Sequence, residues 1–298
     1  MKSKGKVIEV KNLKKFFGKT KAVNGISFDV SEGEVFGFLG PNGAGKTTTI
    51  RCLMDFISPT SGQLKIFDKE VKKNSAEIKK DIGYLPGNVQ LYKNWTGRDH
   101  IQYIEGLRGR SLILNDLVKR LDFDPNKKFG SLSSGNKQKL GLILALMHQP
   151  KLLIMDEPTV GLDPLLQNEI YKIIDELKKS GTTIFVSSHN LPEVERICDR
   201  VGIIRDGKIV ELSDISNLSG KRLSVIRVSF LDDYKKDEFK FNGVEAVEKN
   251  GEWLTITVYG DISDVLKKIT SHKIKDIEIN KASLEEIFLK FYQKKEDK

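Results

Sequence analysis

One short segment, Gly40–Thr47 with the sequence GPNGAGKT, constrains this chain more than any other. It follows the apolar run EVFGFL and precedes TTIRCLMDFI, whose apolar residues have helical spacing. Glycines let a loop wrap closely around a phosphate, because no Cβ stands in the way, and successive N–H groups then line the concavity. The pattern G-x-x-x-x-G-K-[ST] between a strand and a helix therefore predicts a phosphate-binding loop at the start of a parallel α/β sheet.

The side chains of this loop have distinct expected roles. Lys46 would place a cation on the terminal phosphates of a nucleotide, and the Thr47 hydroxyl would ligate Mg²⁺. The expected nucleotide contacts in this region are Gly40, Asn42, Gly43, Ala44, Gly45, Lys46, Thr47 and Thr48. A glycine turn without a ligand is the structural alternative, and the position between strand and helix argues against it.

A second motif, LLIMDEP, supplies the acidic groups that such a site needs. Its apolar part is typical of a buried parallel strand that ends at Asp156. Asp156 could hold the Mg²⁺ shell through water, and Glu157 follows where it could polarise an attacking water. An ordinary strand followed by acidic turn residues is the alternative, and the preceding phosphate-binding loop makes it less favoured. Together the two motifs predict a site that binds a nucleotide and activates water.

Five motifs taken together resemble those of the ATP-binding cassette (ABC) ATPases: GPNGAGKT, LSSGN, LLIMDEP, GLD and SSH occur in that family's order and approximate spacing over residues 5–215. The resemblance implies a P-loop core with a parallel sheet, an antiparallel β subdomain and a helical subdomain. It also implies Mg²⁺-dependent hydrolysis of ATP, with Lys46, Glu157 and His189 as catalytic residues. Two copies of the chain would close head to tail around two ATP molecules.

The resemblance gives the segment LSSGN a role in that dimer. Ser133 and the N–H of Gly135 would contact the γ-phosphate held by the second copy, at the positive end of a helix. The family's usual motif is Leu-Ser-Gly-Gly-Gln, and this chain has Ser134 and Asn136 at the third and fifth positions. The Ser-x-Gly core remains, so we expect the nucleotide role. Simple helix capping by Ser133 is the alternative.

Three more residues acquire expected roles in the same way. Asp163 of GLD would help couple the two sites, and it would also cap a helix that begins at Pro164. His189 would be the switch histidine that contacts the γ-phosphate. Phe17 matches the aromatic residue that stacks on adenine, with Phe16 as the fallback and one of the pair expected in the core.

One position departs from the family pattern. The family has a glutamine on the loop that joins the core to the helical subdomain, where it touches Mg²⁺ or its water, and this chain has Gly87 there. Glycine offers no side-chain oxygen. Asn88 or Gln90 could substitute, or water could fill the place.

Composition limits the cellular setting. The formal net charge is +9 over 298 residues, but the lysines are scattered without interleaved aromatic residues, so we expect no nucleic-acid partner. No apolar run approaches the ~20 residues of a membrane span, and the N-terminus lacks the apolar region of a secretory signal. Cys52 and Cys198 lie in apolar surroundings without metal-ligand spacing, which indicates two reduced core thiols in the cytoplasm.

The sequence pattern changes near residue 220, where alternating strands and helices give way to a β-rich segment, and this change predicts two domains. Residues 1–220 would form the nucleotide-binding domain, with a helical subdomain at about 88–150, and residues 221–298 a small α+β domain. Asp206-Gly207 and Asn250-Gly251 are hairpin turn signals, and Ser283 with Glu286 forms a capping box for a last helix. The small domain would stabilise the chain or support dimerisation, or else it would regulate or bind a partner.

The expected biological role is the ATPase subunit of an ABC transporter, on the inner face of the cell membrane. A single cassette without a membrane span would need separate permease subunits, contacted around residues 88–105. The segment ASLEEIFLKFY resembles the tail of single-cassette subunits from exporters. The alternatives are a soluble ABC ATPase acting on nucleic acid or ribosomes, and a nucleotide-sensing regulator with little turnover, which Gly87 would favour.

Overall fold

The computed structural model describes residues 5–216 and 223–281. The chain divides into two compact units, residues 1–213 and 214–298. The predicted boundary at residue 220, the capping box of Ser283 and Glu286, and the segment ASLEEIFLKFY lie outside the described residues. The role of the second unit therefore stays a prediction.

The first unit is a mixed α/β structure. Its strands are β1 (Lys6–Phe17), β2 (Thr20–Ser31), β3 (Val35–Leu39), β4 (Ser61–Ile66), β5 (Lys69–Glu70), β6 (Ile82–Leu85), β7 (Leu152–Asp156), β8 (Thr183–Ser188), β9 (Arg200–Arg205) and β10 (Lys208–Asp214). Its helices are α1 (Lys46–Leu53), α2 (Val71–Ile78), α3 (Gly97–Arg108), α4 (Leu114–Arg120), α5 (Ser134–Leu146), α6 (Pro164–Lys179) and α7 (Leu191–Ile197).

Two sheets form the framework of this unit. The antiparallel sheet has the order β2-β1-β4-β5, and the second sheet has the order β10-β9-β3-β8-β7-β6. In the second sheet β6, β7, β8, β3 and β9 are parallel. Between β6 and β7 the chain forms α3, α4 and α5. The predicted α/β class with an antiparallel β part and a helical part is confirmed.

The core of the first unit lies between the two sheets. Phe28 of β2 stacks on Phe36 and Phe38 of β3 and on Phe185 of β8, with ring centroids 5.4–5.9 Å apart. All four rings are buried, and each aromatic pair adds about 0.5–1.5 kcal/mol to the stabilisation that burial provides. Because β3, β7 and β8 are buried along their whole length, the strands that hold the site are packed on both faces.

The carboxyl ends of three neighbouring strands carry the sequence motifs. The phosphate-binding loop follows β3, the acidic pair begins at the last residue of β7, and His189 comes directly after β8. Since β8 lies between β3 and β7, the ends of parallel strands bring the three motifs to one edge of the sheet.

The second unit is a small α+β structure. Its elements are β11 (Leu223–Phe230), β12 (Val244–Asn250), β13 (Trp253–Tyr259), α8 (Ser263–Ile269) and β14 (Ile274–Lys281). The sheet order β12-β13-β11-β14 and this element order match a ferredoxin-like arrangement, with a 3₁₀ turn between β11 and β12 in place of the first helix. The hairpin predicted at Asn250-Gly251 is confirmed, as is the one at Asp206-Gly207.

The structure also describes both cysteines and the lengths of the helices. Cys52 and Cys198 are free and buried, as predicted, and burial raises the pKa of the Cys52 thiol to about 11. Burial also raises the pKa of Cys198 well above its ordinary value. Both thiols are therefore protonated and inert near neutral pH. Within residues 5–216 and 223–281, no helix has the length and apolarity that crossing a membrane requires.

Candidate functional site

The phosphate-binding loop has the backbone that its glycines allow. Gly43 and Gly45 have φ angles of 82° and 110°, a region that residues with a Cβ rarely adopt. A Cβ on Gly45 would lie 2.4 Å from the carbonyl oxygen of Ala22. Helix α1 then begins at Lys46 without a side-chain cap and without an acidic residue in its first turn. Its N–H groups and the helix dipole thus favour an anion at this end.

The predicted loop residues differ in exposure. Ala44, Gly45 and Lys46 are buried, and Gly40 is buried at the end of β3. Asn42, Gly43 and Thr47 are exposed, and Thr48 is half-buried. The loop is thus anchored by its buried residues, while its exposed residues face solvent. A ligand could reach the loop from that side.

Lys46 is held in place by three acceptors. Its Nζ donates to the carbonyl oxygens of Gly40, at 2.6 Å, and Pro41, at 3.1 Å. It also lies 3.1 Å from Oε1 of Glu157. Lys46 is only 5% exposed, so this ammonium is oriented by the loop itself.

Thr47 and Asp156 form the oxygen cluster expected for a metal. The Thr47 hydroxyl donates to Oδ2 of Asp156 at 2.8 Å. The Ser187 hydroxyl donates to the other oxygen, Oδ1, at 2.5 Å. Hydroxyl and carboxylate oxygens are the hard ligands that Mg²⁺ prefers, and Mg²⁺ usually takes only one or two of them from the protein. The donor set of Thr47 and Asp156 fits that ion.

Glu157 bridges two of the predicted catalytic residues. Its Oε1 pairs with Lys46, and its Oε2 lies 3.0 Å from Nδ1 of His189. Its backbone N–H donates to the carbonyl oxygen of Ser187 at 3.1 Å. The φ angle of Glu157 is 51°, an uncommon conformation for a non-glycine residue. The structure therefore brings Lys46, Glu157 and His189 together, and tertiary contacts hold the glutamate in a strained backbone.

Ser133 lies at the start of α5 and caps it. Its hydroxyl accepts from the backbone N–H of Asn136 at 3.3 Å and from the Asn136 amide at 3.1 Å. Ser133 and Ser134 are exposed, and Gly135 lies close to Leu162, since a Cβ there would be 3.7 Å from Leu162 Cδ2. Capping is thus present in the single chain, and it leaves the helix start accessible to a ligand from outside.

Asp163 also has the cap geometry expected from the sequence. Its Oδ1 accepts from the N–H of Leu166 at 3.0 Å, and Pro164 is the first residue of α6. The surrounding surface is apolar, since Val160 is 53% and Leu165 83% exposed. Exposed aliphatic residues around a functional loop are typical of a surface that another protein covers.

Neither Phe16 nor Phe17, the aromatic pair at the end of β1, is fully buried. Phe17 is 51% exposed, and Lys15 Nζ lies 4.9 Å from its ring centroid. Phe16 is half-buried, with Lys21 Nζ at 6.0 Å. The expectation that one of the two belongs to the core is wrong, because both lie where the β1–β2 hairpin closes at Phe17 and Thr20, beyond the packed part of the sheet. Phe17 remains the accessible ring.

Gly87 faces the acidic motif directly. A Cβ at this position would lie 3.1 Å from the carbonyl oxygen of Asp156 and 3.8 Å from its Cγ. Asn88 and Gln90, the two candidate substitutes, are exposed and hydrogen-bonded to each other at 3.0 Å. The glycine therefore allows a close approach between the loop after β6 and the end of β7.

Some functional contacts were not anticipated from the sequence. Ser187 orients Asp156, and the buried amide of Gln138 donates to the carbonyl oxygen of Pro158 at 3.3 Å. Glu193 is buried, and burial raises the pKa of its carboxyl group. Ser187 lies within the SSH motif, but β8 is buried along its whole length, so no alternation of polar and apolar residues indicates its contact. The contacts of Gln138 and Glu193 depend on packing between distant segments.

Comparisons with known proteins agree with this geometry. The ABC transporter family model matches residues 23–160. The chain is 40% identical over 234 residues to the bacitracin transport ATP-binding protein BcrA of Bacillus licheniformis, which covers 77% of this chain and 76% of the relative. It is 33% identical to the uncharacterized ABC transporter ATP-binding protein YhaQ of Bacillus subtilis (strain 168), over 95% of this chain and 97% of the relative.

A solved structure of an ATP-binding subunit of an ABC transporter has the same fold as the first unit. It matches with a TM-score of 0.66 and 27% identity, and the match covers 71% of this chain and 91% of the solved chain. The contacts of Lys46, Asp156 and Glu157 described above thus occur in a chain that is similar in sequence and fold to ATP-binding subunits of ABC transporters. This chain belongs to the ATP-binding subunits of ABC transporters, a family of ATPases.

Proposed function

We propose that this chain is the motor subunit of an exporter, and that Lys46, Glu157 and His189 carry its ATPase reaction. The observation that carries the proposal is the contact of Glu157 with both other residues, at 3.1 and 3.0 Å. Lys46 would bind the β- and γ-phosphates, and the N–H groups of the loop and of α1 would hold their oxygens. The exposed ring of Phe17 would stack on adenine.

Glu157 would act on the water that attacks the γ-phosphate. Its carboxylate would accept a hydrogen bond or the proton from that water while the bond between the γ-phosphorus and ADP breaks. His189, 3.0 Å from Oε2, would orient the carboxylate and contact the γ-phosphate. Thr47 and Asp156 would hold Mg²⁺, which neutralises developing charge on the phosphate oxygens when it is bound.

A second copy of the chain would complete each site. The start of α5 is accessible at Ser133, and its first turn contains no acidic residue. This combination favours an anion supplied from outside the chain. The exposed residues Val160 and Leu165, next to Asp163, would be covered by the second copy on dimer closure.

Separate membrane subunits would bind an aromatic surface on the helical part, formed by Tyr92, Trp95 and Tyr103. The Trp95 ring lies 4.7 Å from that of Tyr92 and 5.7 Å from that of Tyr103, centroid to centroid. Tyr92 is 66% and Tyr103 53% exposed. Large exposed aromatic side chains are enriched at protein interfaces. The bacitracin transport role named for BcrA supports a transporter here, with the chain peripheral on the inner face of the membrane.

Co-purification from membranes tests this proposal. The tagged chain should retain a membrane protein, and Tyr103→Asp should lose it while binding of MgATP is unchanged. Tyr259→Ala, which alters an exposed tyrosine of the second unit, is the matched control and should retain the partner. Stimulation of ATP hydrolysis by RNA or DNA, without a membrane partner, would contradict the proposal and favour a soluble nucleic-acid role.

A further inference from the structure

Glu193 is a buried carboxyl group that lies beside the site without belonging to any of the sequence motifs. It is 3% exposed and occupies the third position of α7, where its N–H donates to the capping Asn190 side chain at 3.3 Å. Burial of a carboxyl group is costly unless its oxygens are hydrogen-bonded. Both oxygens of Glu193 have such partners, and the partners belong to two different segments of the site.

One oxygen is bonded to the segment that carries His189. The Ser188 hydroxyl donates to Oε2 of Glu193 at 2.5 Å. The backbone of Ser188 is also fixed, since its carbonyl oxygen accepts from the N–H of Gly40 at 3.2 Å. Ser188 directly precedes His189, so this bond restrains the start of the loop on which the histidine lies.

The other oxygen is bonded to the segment that carries Glu157. The Thr159 hydroxyl donates to Oε1 of Glu193 at 2.8 Å. Thr159 is buried and follows Glu157 by two residues, and its carbonyl oxygen accepts from the N–H of Leu162 at 3.2 Å. This second bond therefore restrains the loop between the catalytic glutamate and Asp163.

We propose that Glu193 is a positioning residue, which bridges Thr159 and Ser188 and thereby sets the Glu157–His189 pair. It is not among the residues proposed to hold nucleotide or Mg²⁺, and it acts through these two hydroxyls. The inference rests on the proposed ATPase site and adds to it a residue outside the family motifs. A purely structural role would require only that the buried carboxyl be satisfied, whereas this bridge joins the two loops that supply the water-activating contact.

The bridge predicts a specific kinetic signature. Glu193→Gln keeps the side-chain shape but replaces one acceptor oxygen with a donor, so Ser188 or Thr159 loses its acceptor. Small misplacements of reacting groups can lower rates by about 100-fold. We expect kcat for MgATP to fall by about 10- to 100-fold, while KM and the binding of nucleotide change little. Thr159→Val should lower kcat in the same way.

Double variants separate positioning from general destabilisation. Glu193→Gln combined with Thr159→Val should be no slower than the slower single variant, because both break one bridge. In the Glu157→Gln background, Glu193→Gln should have no further effect on the residual rate. Glu195→Gln is the matched control, since two residues along a helix turn its side chain about 200° away, and it should keep the wild-type kcat. Circular dichroism and the thermal midpoint verify that each variant is folded.

Several results would overturn the inference. A folded Glu193→Gln protein with the kcat of Glu195→Gln would refute the positioning role and leave the proposed ATPase intact. Losses that multiply in the double variant, or a parallel loss of nucleotide binding, would assign Glu193 a structural role instead. A wild-type chain whose ATP hydrolysis is absent, or is unaffected by Glu157→Gln, would refute the proposed function and the positioning role with it.

Discussion

Replacement of the proposed catalytic base by glutamine, Glu157→Gln, is the sharpest perturbation of the proposed site. The amide has the shape of the carboxylate, so its oxygen can still accept from Lys46 Nζ, now 3.1 Å from Oε1. Its NH₂ group can face His189 Nδ1, which accepts in the other imidazole tautomer. The Glu157 side chain is 21% exposed, but that of Lys46 is only 4% exposed, so the loss of the negative charge weakens the pairing of a buried ammonium. We expect the free energy of unfolding to fall by about 1–3 kcal/mol.

The effect on chemistry should be much larger. A positioned general base contributes about 10²- to 10⁴-fold to a rate, which corresponds to about 2.7–5.4 kcal/mol in the activation free energy. An uncharged amide cannot take the proton of the attacking water. We therefore expect kcat to fall by at least about 100-fold with nucleotide binding retained, and the ATP-bound dimer to accumulate.

Two measurements test this variant. Phosphate release at saturating MgATP gives kcat, and light scattering with the same nucleotide gives the mass of the particle. Wild-type protein is the reference for turnover, and Lys46→Ala is the control for a chain that cannot bind. A decrease in kcat of less than about tenfold would refute Glu157 as the base, since base catalysis contributes more than that. A monomer at saturating MgATP would refute the nucleotide role of Ser133.

Three further predictions follow from the same contacts. Lys46→Ala should lose measurable MgATP binding in equilibrium dialysis, and unchanged affinity would discredit the phosphate-binding loop. Phe17→Ala should raise the Kd for MgATP about fivefold or more, because base–aromatic stacking contributes about 1–3 kcal/mol. An equal rise in Kd for Phe16→Ala would reject Phe17 as the stacking ring. Burial raises the pKa of Glu193 above 4.5 in the folded chain. Just above pH 4.5 the folded state therefore binds more protons than the unfolded state, and the free energy of unfolding falls as the pH rises. Urea unfolding of Glu193→Gln should show a shallower decline over this range, and parallel curves for the two proteins would contradict the assignment.

The chemical core of the site could be predicted from sequence because it is encoded locally. The glycines, Lys46 and Thr47 lie within eight residues, and the turn that they form depends on their own φ angles. Strand β3 before the loop and helix α1 after it have clear apolar patterns. The position of Asp156 at the end of β7 follows in the same way, because a short apolar run that ends in a carboxylate marks the end of a buried strand.

The remaining features depend on contacts that no local pattern contains. Strand β4 pairs with β1 across more than 40 residues of chain, with Ile8 opposite Ile66, and its sequence has no distinctive signal. The hydroxyls bonded to Glu193 come from Thr159, in another loop, and from Ser188. Whether Phe16 is buried depends on where the β1–β2 hairpin extends past the core. Each outcome is decided by tertiary packing, so motif and periodicity arguments cannot reach it.

In the proposed mechanism, the contact between Lys46 and Glu157 would link nucleotide binding to water activation. In the described structure the ammonium lies 3.1 Å from Oε1 of Glu157 and also satisfies the carbonyls of Gly40 and Pro41. A terminal phosphate carries more negative charge than one carboxylate and offers several acceptor oxygens, so it would compete for this ammonium. If Lys46 turned to the phosphate, Oε1 would become an acceptor for a water beside the γ-phosphorus. Nucleotide binding would thus free the carboxylate that the proposed mechanism uses to activate water.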